Sequence, residues 1–410
     1  MEIMVSEKAK TISPSPTLAI DSKFKQMKKQ GVPVVGFGAG EPDFNTPEYI
    51  KEAGIQAIRD NMTKYTPASG TIELKQAICE KLRRDTGLTY ETSNIVVSNG
   101  GKHSLTNTFM CICNPGDEVI IPAPYWVSYP EMVKMADAVP VYIETTEETD
   151  FKFTIEQLEA AITNRTKALI LNTPSNPTGM VYTREELEKI AEIAVKHRIF
   201  VVFDEIYEKL VYEGEHINIA TLGEDIKALT IIVNGMAKAY AMTGWRVGYI
   251  AADTKIAKAV GNLQSHATSN PNSIAQAASV AALNGDQSFI DGWKEEYKTR
   301  RDYMVERINN IEGISCKMPH GAFYIFVNVK EVLGKEHYGR MIHTAQELCE
   351  DILDRALVAM VPSEGFGIEG YVRLSYAASM EVITTGLDRI DSYLKGECTE
   401  MKYSDNSLQA

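Results

Sequence analysis

The chain has 410 residues, 44% of them hydrophobic, and a formal net charge of -13 at pH 7. This length can bury a large core in two or three domains, and the negative charge argues against nonspecific binding to nucleic acid or to anionic membranes. The six cysteines are scattered without a CxxC pair, which predicts free thiols and neither a disulfide framework nor a metal site. Because no apolar run reaches membrane length and the N-terminus does not resemble a signal peptide, we expect a cytoplasmic protein.

The middle of the chain alternates between short apolar runs and helical stretches. A helix is predicted over Thr183–His197, because Thr183 and Glu186 can form a capping box at its start. Such alternation favours the α/β class, with a mostly parallel sheet covered by helices on both faces. The predicted strands are Ile95–Val97, Glu118–Ile121, Val139–Ile143, Ala168–Leu171, Ile199–Phe203, Thr230–Val233 and Arg246–Ala251.

The pattern changes after about Asn284. A long charged helix over Trp293–Ile311 is expected to lead into a smaller α+β unit. The tail from Glu397 is polar, and we expect it to be mobile. The predicted strands of the smaller unit are Ala322–Val329, Val358–Val361 and Val372–Tyr376.

The most informative stretch is VNGMAKAYAMTGWRVGY, residues 233 to 249. It places Lys238 among small and apolar residues, where burial would lower the pKa of the amine and let the uncharged form attack a carbonyl to give a Schiff base. Arg246 follows eight positions later and is the kind of bidentate donor that binds a phosphate. The two residues together suggest pyridoxal 5'-phosphate (PLP), although a surface hairpin would also account for this stretch alone.

A second candidate segment is the apolar run from Ile199 to Phe203, which ends at Asp204 and is followed by Tyr207. In an open α/β sheet, ligands bind at the carboxyl ends of the strands. A carboxylate there can pair with a protonated pyridine nitrogen, and the tyrosine can reach a ring oxygen. An aspartate at this place can equally cap the following helix, so this segment alone leaves both interpretations open.

Two glycine-containing turns follow other predicted strands. SNPTG, residues 175 to 179, leaves Asn176 as a side-chain donor after a tight turn. SNGGKHSL, residues 98 to 105, places Gly100 and Gly101 before a predicted helix, where backbone N–H groups can hold a phosphate. Each of these stretches by itself is also consistent with an ordinary turn.

Together these motifs resemble the class I PLP-dependent aminotransferases of fold type I. Within that family the chain is most similar to the bacterial and plant aspartate aminotransferases, in the subgroup that includes prephenate aminotransferases. The resemblance runs from about Pro14 to about Leu394. The further matching segments, in family order around those already described, are GAGEPDF (38–44), KYTPASG (64–70), PAPYWVSYPEM (122–132) and YVRLSYA (371–377).

The resemblance implies a division into a large PLP-binding domain and a smaller domain. The large domain would comprise residues 48–285. The N-terminal segment 1–47 would join the small C-terminal domain, residues 286–396, and residues 397–410 would form the polar tail.

The resemblance also implies a role around the cofactor ring for each matching residue. Lys238 would form the Schiff base with PLP and later move the substrate proton, and Asp204 would pair with the pyridine nitrogen. Tyr207 and Asn176 would hold the phenolic oxygen of the ring, and Trp126 would stack on the ring.

The phosphate of the cofactor has its own set of matching residues. Gly100, Gly101 and the start of the helix at Lys102 would bind it together with Arg246. Tyr65 matches a tyrosine that reaches the phosphate of the neighbouring subunit, so the resemblance implies a homodimer with shared active sites.

Two cations match the substrate-binding residues of the family. Arg373 would bind the α-carboxylate, with Gly40 at the mouth of the site, although in the alternating strand YVRLSY an arginine would ordinarily face water. Lys102 would meet the side-chain carboxylate of a dicarboxylic substrate, and Trp126 and Asn176 would complete the site. This pairing favours aspartate, glutamate, oxaloacetate and 2-oxoglutarate.

The implied activity is therefore transfer of the amino group between L-aspartate and 2-oxoglutarate by a ping-pong mechanism. Prephenate also has two carboxylates, and Thr17 matches a threonine that contributes to selectivity in prephenate-using relatives. An aromatic or alanine aminotransferase, or a β-lyase, are alternatives on the same fold. A transcription regulator with an aminotransferase-like domain is disfavoured, because only a short tail precedes Pro14 and the net charge is negative.

Three residues depart from the family pattern. Gly235 stands where many relatives have a serine that contacts the phosphate, and Ala237 stands where a serine often precedes the lysine. The phosphate is therefore expected to depend more on backbone donors and on Arg246. Ser363 replaces a usual glycine, which leaves the conformation of its loop open.

Overall fold

The computed structural model describes residues 5–13 and 18–398. Thr17 and most of the predicted tail therefore lie outside the described residues. Within the described residues, no helix is both long and apolar enough to cross a lipid bilayer. The first elements are α1 (Glu7–Thr11), α2 (Leu18–Lys29), β1 (Val35–Gly36), α3 (Glu48–Arg59) and α4 (Ile72–Thr86).

The central sheet has seven strands, and their carboxyl ends position the candidate site. The strands are β2 (Ile95–Ser98), β3 (Glu118–Ala123), β4 (Val139–Glu144), β5 (Thr166–Asn172), β6 (Phe200–Asp204), β7 (Thr230–Gly235) and β8 (Gly248–Ala251). Their order across the sheet is β2-β8-β7-β6-β5-β3-β4. Only β8 runs antiparallel to its neighbours, so the prediction of a mostly parallel sheet is confirmed.

Helices cover both faces of this sheet because successive strand residues point in opposite directions. On β7, Ile231 belongs to the cluster that contains Leu105, whereas Ile232 belongs to the cluster that contains Ile78. The helices of this part of the chain are α5 (Gly101–Ile112), α6 (Tyr129–Met135), α7 (Ile155–Ala161), α8 (Arg184–His197), α9 (Glu224–Leu229), α10 (Thr254–Ala267) and α11 (Ser273–Asn284). The predicted capping box is present on α8, where Thr183 and Glu186 bond each other's backbone N–H groups.

The smaller α+β unit follows the long helix α12 (Ser288–Asn309). It contains a four-stranded sheet in the order β14-β15-β10-β9, and β1 of the N-terminal segment pairs with β13. Its elements are β9 (Ser315–Cys316), β10 (Tyr324–Asn328), β11 (Lys335–His337), β12 (Arg340–Ile342), α13 (Ala345–Ala356), β13 (Val358–Ala359), β14 (Val361–Pro362), β15 (Tyr371–Ser375) and α14 (Met380–Leu394).

The structure corrects several predicted boundaries, among them the strand predicted over Ala322–Val329, which is shortened to Tyr324–Asn328, and the following three. The strand expected from Arg246 begins at Gly248, because Arg246 has left-handed backbone angles (φ 56°, ψ 54°) after a short 3-10 turn and cannot enter the ladder. The strand expected over Val358–Val361 is interrupted at Met360, and its two halves join different sheets. The helix expected over Trp293–Ile311 instead spans α12, beginning and ending earlier.

Candidate active site

The candidate site lies where β5 and β6 end and where the loop after β7 begins. Asp204, the last residue of β6, pairs in register with Asn172 of β5 and Val233 of β7. Its backbone carbonyl also accepts a hydrogen bond from the Asn172 amide at 3.0 Å. The sheet thus fixes the position of Asp204 before any side-chain contact is made.

Lys238 lies in the loop after β7, and the N-terminal segment crosses over it. Its ammonium donates a hydrogen bond to the Gly40 carbonyl, and it lies 5.6 Å from the ring centres of both Tyr207 and Phe323. Burial lowers the pKa of Lys238 to about 8, against the opposing attraction of Glu41. The amine is therefore easier to deprotonate than an ordinary lysine, as the sequence analysis predicted.

Asp204 is 4% exposed, and its carboxylate is held on both oxygens. The Tyr129 hydroxyl donates to Oδ2 at 2.6 Å, and the Ile206 N–H donates to Oδ1 at 3.2 Å. Burial raises the pKa of Asp204 to about 6, and the Tyr129 hydrogen bond acts in the opposite direction. Tyr129 was not predicted from the sequence as a site residue, although it lies in the matched segment PAPYWVSYPEM.

Tyr207 is buried next to a second tyrosine that the sequence analysis also missed. The hydroxyls of Tyr207 and Tyr324 are 2.9 Å apart, and burial raises the pKa of the Tyr207 phenol well above its ordinary value. Tyr324 begins β10, far from the strand ends in sequence. A local signal for its role is absent, because its segment GAFYIF has the composition of an ordinary buried strand.

Arg373 is 6% exposed and forms no ion pair within the described part of the chain. Its Nη1 donates to the Asn176 side-chain oxygen at 2.9 Å and its Nη2 to the Gly38 carbonyl at 3.2 Å, while its buried Nε has no partner. The guanidinium carbon lies 4.4 Å from the ring centre of Tyr324 and 5.3 Å from that of Phe366. A clamped arginine with a free donor is suited to binding a carboxylate.

Arg246 and the start of α5 form a second concentration of positive charge. Arg246 donates to the Thr243 carbonyl at 2.9 Å, and its guanidinium lies against the backbone of Gly100. A Cβ added at Gly100 would come within 2.5 Å of that guanidinium, and the φ of Gly100 is +88°. Because the first N–H groups of α5, which begins at Gly101, have no intrahelical partner, this corner can bind an anion.

Lys102 and Trp126 lie beside this corner. The Lys102 ammonium donates to the Ser128 hydroxyl at 3.0 Å and lies 4.8 Å from the centre of the Trp126 ring. Burial, and then repulsion from Arg246, lowers the pKa of Lys102. The Trp126 ring packs edge-on against Tyr129 with 5.3 Å between ring centres, which sets its orientation.

The structure does not bring Tyr65 into the cluster within a single chain. Its side chain is 91% exposed, in the loop between α3 and α4. Thr17 lies outside the described residues, so its relation to the site stays a prediction.

Two of the three departures from the family pattern, Gly235 and Ser363, have local explanations. A Cβ added at Gly235 would lie 2.7 Å from the Val247 carbonyl oxygen and 2.9 Å from the Gly248 Cα, so a serine there would require a backbone shift. Ser363 begins a short 3-10 helix, and its hydroxyl accepts a hydrogen bond from the Tyr371 N–H at 3.1 Å. Its loop therefore keeps an ordered conformation without glycine.

Comparison with known proteins places this arrangement in a family. The model of the family "Aminotransferase class I and II" matches residues 32–390. The chain is 48% identical to an aspartate aminotransferase of Bacillus sp. (strain YM-2), over 96% of this chain and 100% of that protein. It is 45% identical to an aspartate/prephenate aminotransferase of Nitrosomonas europaea, over 95% of this chain and 99% of that protein.

A solved structure agrees with these sequence matches. The aspartate aminotransferase of Thermus thermophilus with maleate superposes with a TM-score of 0.90 at 41% identity, covering 96% of this chain and 100% of that chain. The chain therefore belongs to the class I and II aminotransferase family and is an aminotransferase.

The first prediction concerns Tyr129. Tyr129→Phe removes a hydrogen bond that lowers the pKa of Asp204. The pKa of Asp204 should therefore rise above its value of about 6. A charge-assisted hydrogen bond is worth about 1.5 to 3 kcal/mol, which corresponds to about one to two pH units. Below the higher pKa the carboxylate is protonated, so the acidic limb of the kcat/KM profile should move to higher pH.

Tyr249 provides the matched control for this measurement. It is also buried, but its hydroxyl has no hydrogen-bond partner among the described residues. Tyr249→Phe should leave the acidic limb where it is in the unmodified enzyme. An unchanged limb in Tyr129→Phe would show that Tyr129 does not set the pKa of Asp204.

Proposed function

We propose that this aminotransferase uses PLP to transfer the amino group between L-aspartate and 2-oxoglutarate by a ping-pong mechanism. The observation that carries the proposal is the buried Arg373, which has no acidic partner among residues 5–13 and 18–398 and whose Nε has no hydrogen-bond partner there. Its positive charge is close enough to Lys238 to lower the pKa of that amine. A carboxylate-binding group thus lies near an amine of lowered pKa, as chemistry on an amino acid requires.

The residues present fit the cofactor. Arg246 and the start of α5 at Gly100 offer a site for its phosphate, and the Trp126 ring offers a stacking surface. Asp204 would face the pyridine nitrogen, and Lys238 would face the aldehyde. Neither Arg246 nor Lys238 forms an ion pair with a carboxylate in the described part of the chain.

Contacts from Asn176 and Tyr207 would complete the proposed cofactor site. Tyr207 would donate its hydroxyl to the phenolic oxygen of the cofactor, and Asn176 would donate its side-chain amide while its oxygen stays bonded to Arg373. The same asparagine would therefore contact both the cofactor and the arginine that binds the substrate.

PLP, when bound, supplies an aldehyde that takes up amino groups and a ring that accepts electrons from the substrate α-carbon. Asp204 would offer its negative charge to the ring nitrogen, because Tyr129 and the Ile206 N–H stabilise the carboxylate. Lys238 would take the α-proton from the amino acid in the first half-reaction. It would give a proton to the α-carbon of the new amino acid in the second half-reaction. Its pKa of about 8 suits a base that must both accept and release a proton near neutral pH.

Substrate choice would depend on two cations. Arg373 would bind the α-carboxylate with Nε and the remaining Nη hydrogens, and Lys102 would bind the carboxylate at the other end of the substrate. The Thermus thermophilus relative has been solved with maleate, a four-carbon dicarboxylate, which supports a dicarboxylic substrate here.

Prephenate is the second candidate for the acidic substrate. It is favoured by the 45% identity to an aspartate/prephenate aminotransferase over nearly the whole chain. Aromatic and alanine aminotransferase activities are less well supported, because a neutral side chain would leave Lys102 without a counter-charge.

We also propose a homodimer with shared sites. Tyr65 is almost fully exposed, and it is flanked along the chain by other exposed apolar residues, namely Ile55 and Ile58 on α3, Met62 in the following loop and Ile72 at the start of α4. Exposed apolar residues clustered in this way are typical of an interface. Covering them with a second copy would remove their apolar surface from water and bring each Tyr65 to the other subunit.

The domain boundaries and the location of the protein belong to the same proposal. The pairing of β1 with β13 supports assigning residues 1–47 to the small domain, residues 286–396, with residues 48–285 as the large domain. All six cysteines are unpaired, which supports a reducing compartment and hence the cytoplasm.

The test of cofactor binding is reduction with borohydride. The purified protein should be yellow, and borohydride should fix the cofactor irreversibly on Lys238, as mass spectrometry of its peptides would show. Lys238→Ala should lower the rate by about 100- to 10,000-fold or more, because the variant loses the group that moves the proton.

A second buried lysine serves as the internal control. Lys81 is also buried, but it is ion-paired with Glu208, which together with other nearby charges outweighs burial and keeps its pKa well above the ordinary value. Lys81 should stay unlabelled. Labelling of a lysine other than Lys238, or a colourless protein in the presence of PLP, would contradict the proposed cofactor site.

The test of substrate choice is a panel of amino acids with two variants. Loss of a charge-assisted contact costs about 1.5 to 3 kcal/mol, or about one to two powers of ten in kcat/KM. Arg373→Ala should damage activity on every amino acid, since all have an α-carboxylate. Lys102→Ala should damage aspartate and glutamate more than alanine and phenylalanine.

The deciding quantity is the ratio of acidic to neutral activities in the Lys102 variant. A loss of activity that weaker cofactor binding causes for all substrates cancels in this ratio. Lys134→Ala, which removes a lysine paired with Glu131, should leave the ratio unchanged. A ratio that does not fall in Lys102→Ala would mean that the side-chain carboxylate is bound elsewhere.

The test of shared sites is complementation between two damaged subunits. When Tyr65→Ala and Lys238→Ala subunits are mixed, each heterodimer should contain one intact site and one site with both lesions. Random mixing in equal amounts would make about a quarter of all sites intact. Activity should therefore rise toward that fraction of the unmodified enzyme.

A second mixture supplies the control for complementation. Pairing Lys238→Ala with a subunit that carries both Tyr65→Ala and Lys238→Ala leaves no site with its lysine, so activity should not recover. If the first mixture also fails to recover while heterodimers are present, each site is built from one chain and the shared-site proposal is wrong.

A further inference from the structure

We propose that Tyr324 is a positioning residue that couples the carboxylate-binding Arg373 to the hydroxyl of Tyr207. This inference rests on the proposed function, because it assigns to Tyr207 a contact with the cofactor and to Arg373 a contact with the substrate. It adds a residue from the smaller unit to the catalytic arrangement.

Two separate contacts place Tyr324 between these groups. Its hydroxyl lies 2.9 Å from that of Tyr207, and its ring centre lies 4.4 Å from the guanidinium carbon of Arg373. Tyr324 is 1% exposed, so both contacts are shielded from water. It is also close to the mouth of the site, since a Cβ added at Gly40 would be 3.5 Å from its hydroxyl.

The hydroxyl contact has a defined direction when the cofactor is present. Tyr207 has one hydroxyl proton, and the proposed contact with the phenolic oxygen of the cofactor uses it. The oxygen of Tyr207 can then accept a hydrogen bond from the Tyr324 hydroxyl. A tyrosine that receives a hydrogen bond becomes a stronger donor itself, so Tyr324 would strengthen the contact of Tyr207 with the cofactor.

The ring contact holds the guanidinium of Arg373 in its binding orientation. Asn176 and Gly38 accept from its two Nη atoms, which fixes one edge of the group. The Tyr324 ring supports its face through a cation–π contact, which is stronger in a buried place than at the surface. These contacts together limit how the guanidinium can rotate, while its buried Nε keeps no hydrogen-bond partner among the described residues.

Tyr324 thus contacts both Tyr207, which is proposed to bind the cofactor, and Arg373, which is proposed to bind the substrate. Burial raises the pKa of Tyr324, but the positive charge of Arg373 over its ring opposes that effect. The arginine therefore makes the Tyr324 hydroxyl a better donor to Tyr207. When a substrate carboxylate neutralises Arg373, this assistance weakens, so the two contacts respond to substrate binding together.

Two substitutions separate the hydroxyl from the ring. Tyr324→Phe keeps the ring under Arg373 and removes the hydroxyl, whereas Tyr324→Leu removes both. The measurements on the holoenzyme are the dissociation constant of maleate, as a dicarboxylate probe, and the pH midpoint of the absorbance change of the bound cofactor. Thermal melting and circular dichroism check that each variant is folded.

Tyr324→Phe should raise the absorbance midpoint by roughly 0.4 to 1 pH unit, the effect of one neutral hydrogen bond, because the phenolic oxygen loses stabilisation of its charged form. Its affinity for maleate should stay within about twofold of the unmodified enzyme, since the cation–π contact is kept. Tyr324→Leu should raise the midpoint similarly and also weaken maleate binding by about 2- to 30-fold.

A double-mutant cycle with Tyr207→Phe tests the coupling itself. If Tyr324 acts through Tyr207, adding Tyr324→Phe to Tyr207→Phe should produce no further shift of the midpoint. Tyr376→Phe is the control, because it removes another buried hydroxyl, bonded to the Ala322 carbonyl, and should leave both measurements unchanged.

Three results would overturn the inference. These are an unchanged midpoint in Tyr324→Phe, unchanged maleate affinity in Tyr324→Leu, or additive shifts in the cycle. Failure of the proposed function would look different, because the unmodified protein itself would then lack cofactor absorbance or would not bind maleate.

Discussion

Uncompensated positive charge at one edge of the sheet is the constraint on which the site depends. The protein has a net charge of -13, yet Arg373, Arg246, Lys102 and Lys238 form no ion pair in the described part of the chain. Arg373 is buried and Lys238 is half-buried, whereas Arg246 and Lys102 are exposed beside them. Cations of one sign that are held close together, and a buried cation without a counter-ion above all, are costly to keep in a fold. Their persistence together is explained if the ligands provide the negative charges, as a phosphate and two carboxylates would.

The sheet makes this arrangement possible because it supplies rigid positions at which the cations can be held. Parallel strands end at one edge, so Asp204 and the loop that carries Lys238 meet there, and the start of α5 adds backbone donors. The antiparallel strand β8 brings Arg246 back to the same edge from the opposite direction. The smaller unit then adds Arg373 and Tyr324 from two paired strands, which closes the site from the other side.

The charged form of Asp204, the acidic residue of the site, is stabilised in a different way. Asp204 is buried, and burial favours its protonated form, while the Tyr129 hydroxyl favours the carboxylate. The orientation of Trp126 depends on the same tyrosine. A single side chain of α6 therefore supports both the charge proposed to face the ring nitrogen and the aromatic surface proposed for the ring.

Much of the fold could be predicted from the sequence, because local patterns report local structure. Alternating apolar runs identified the seven strands of the large sheet, and Thr183 with Glu186 identified the start of α8. The family resemblance added residue roles, among them that of Lys238, whose pKa the fold indeed lowers. Local patterns could not show which side chains that are distant in the sequence come into contact.

Tertiary structure alone decided those meetings. Tyr129 reaches Asp204 across 75 residues, Tyr324 reaches Tyr207 across 117, and Arg373 reaches Asn176 across 197. An alternating strand predicts a water-facing arginine, yet Arg373 is buried because Asn176 and Gly38 accept its hydrogen bonds and the rings of Tyr324 and Phe366 lie against it. The sequence by itself determined which elements form and which residue types they carry, whereas long-range packing determined which polar groups lose water and therefore which become reactive.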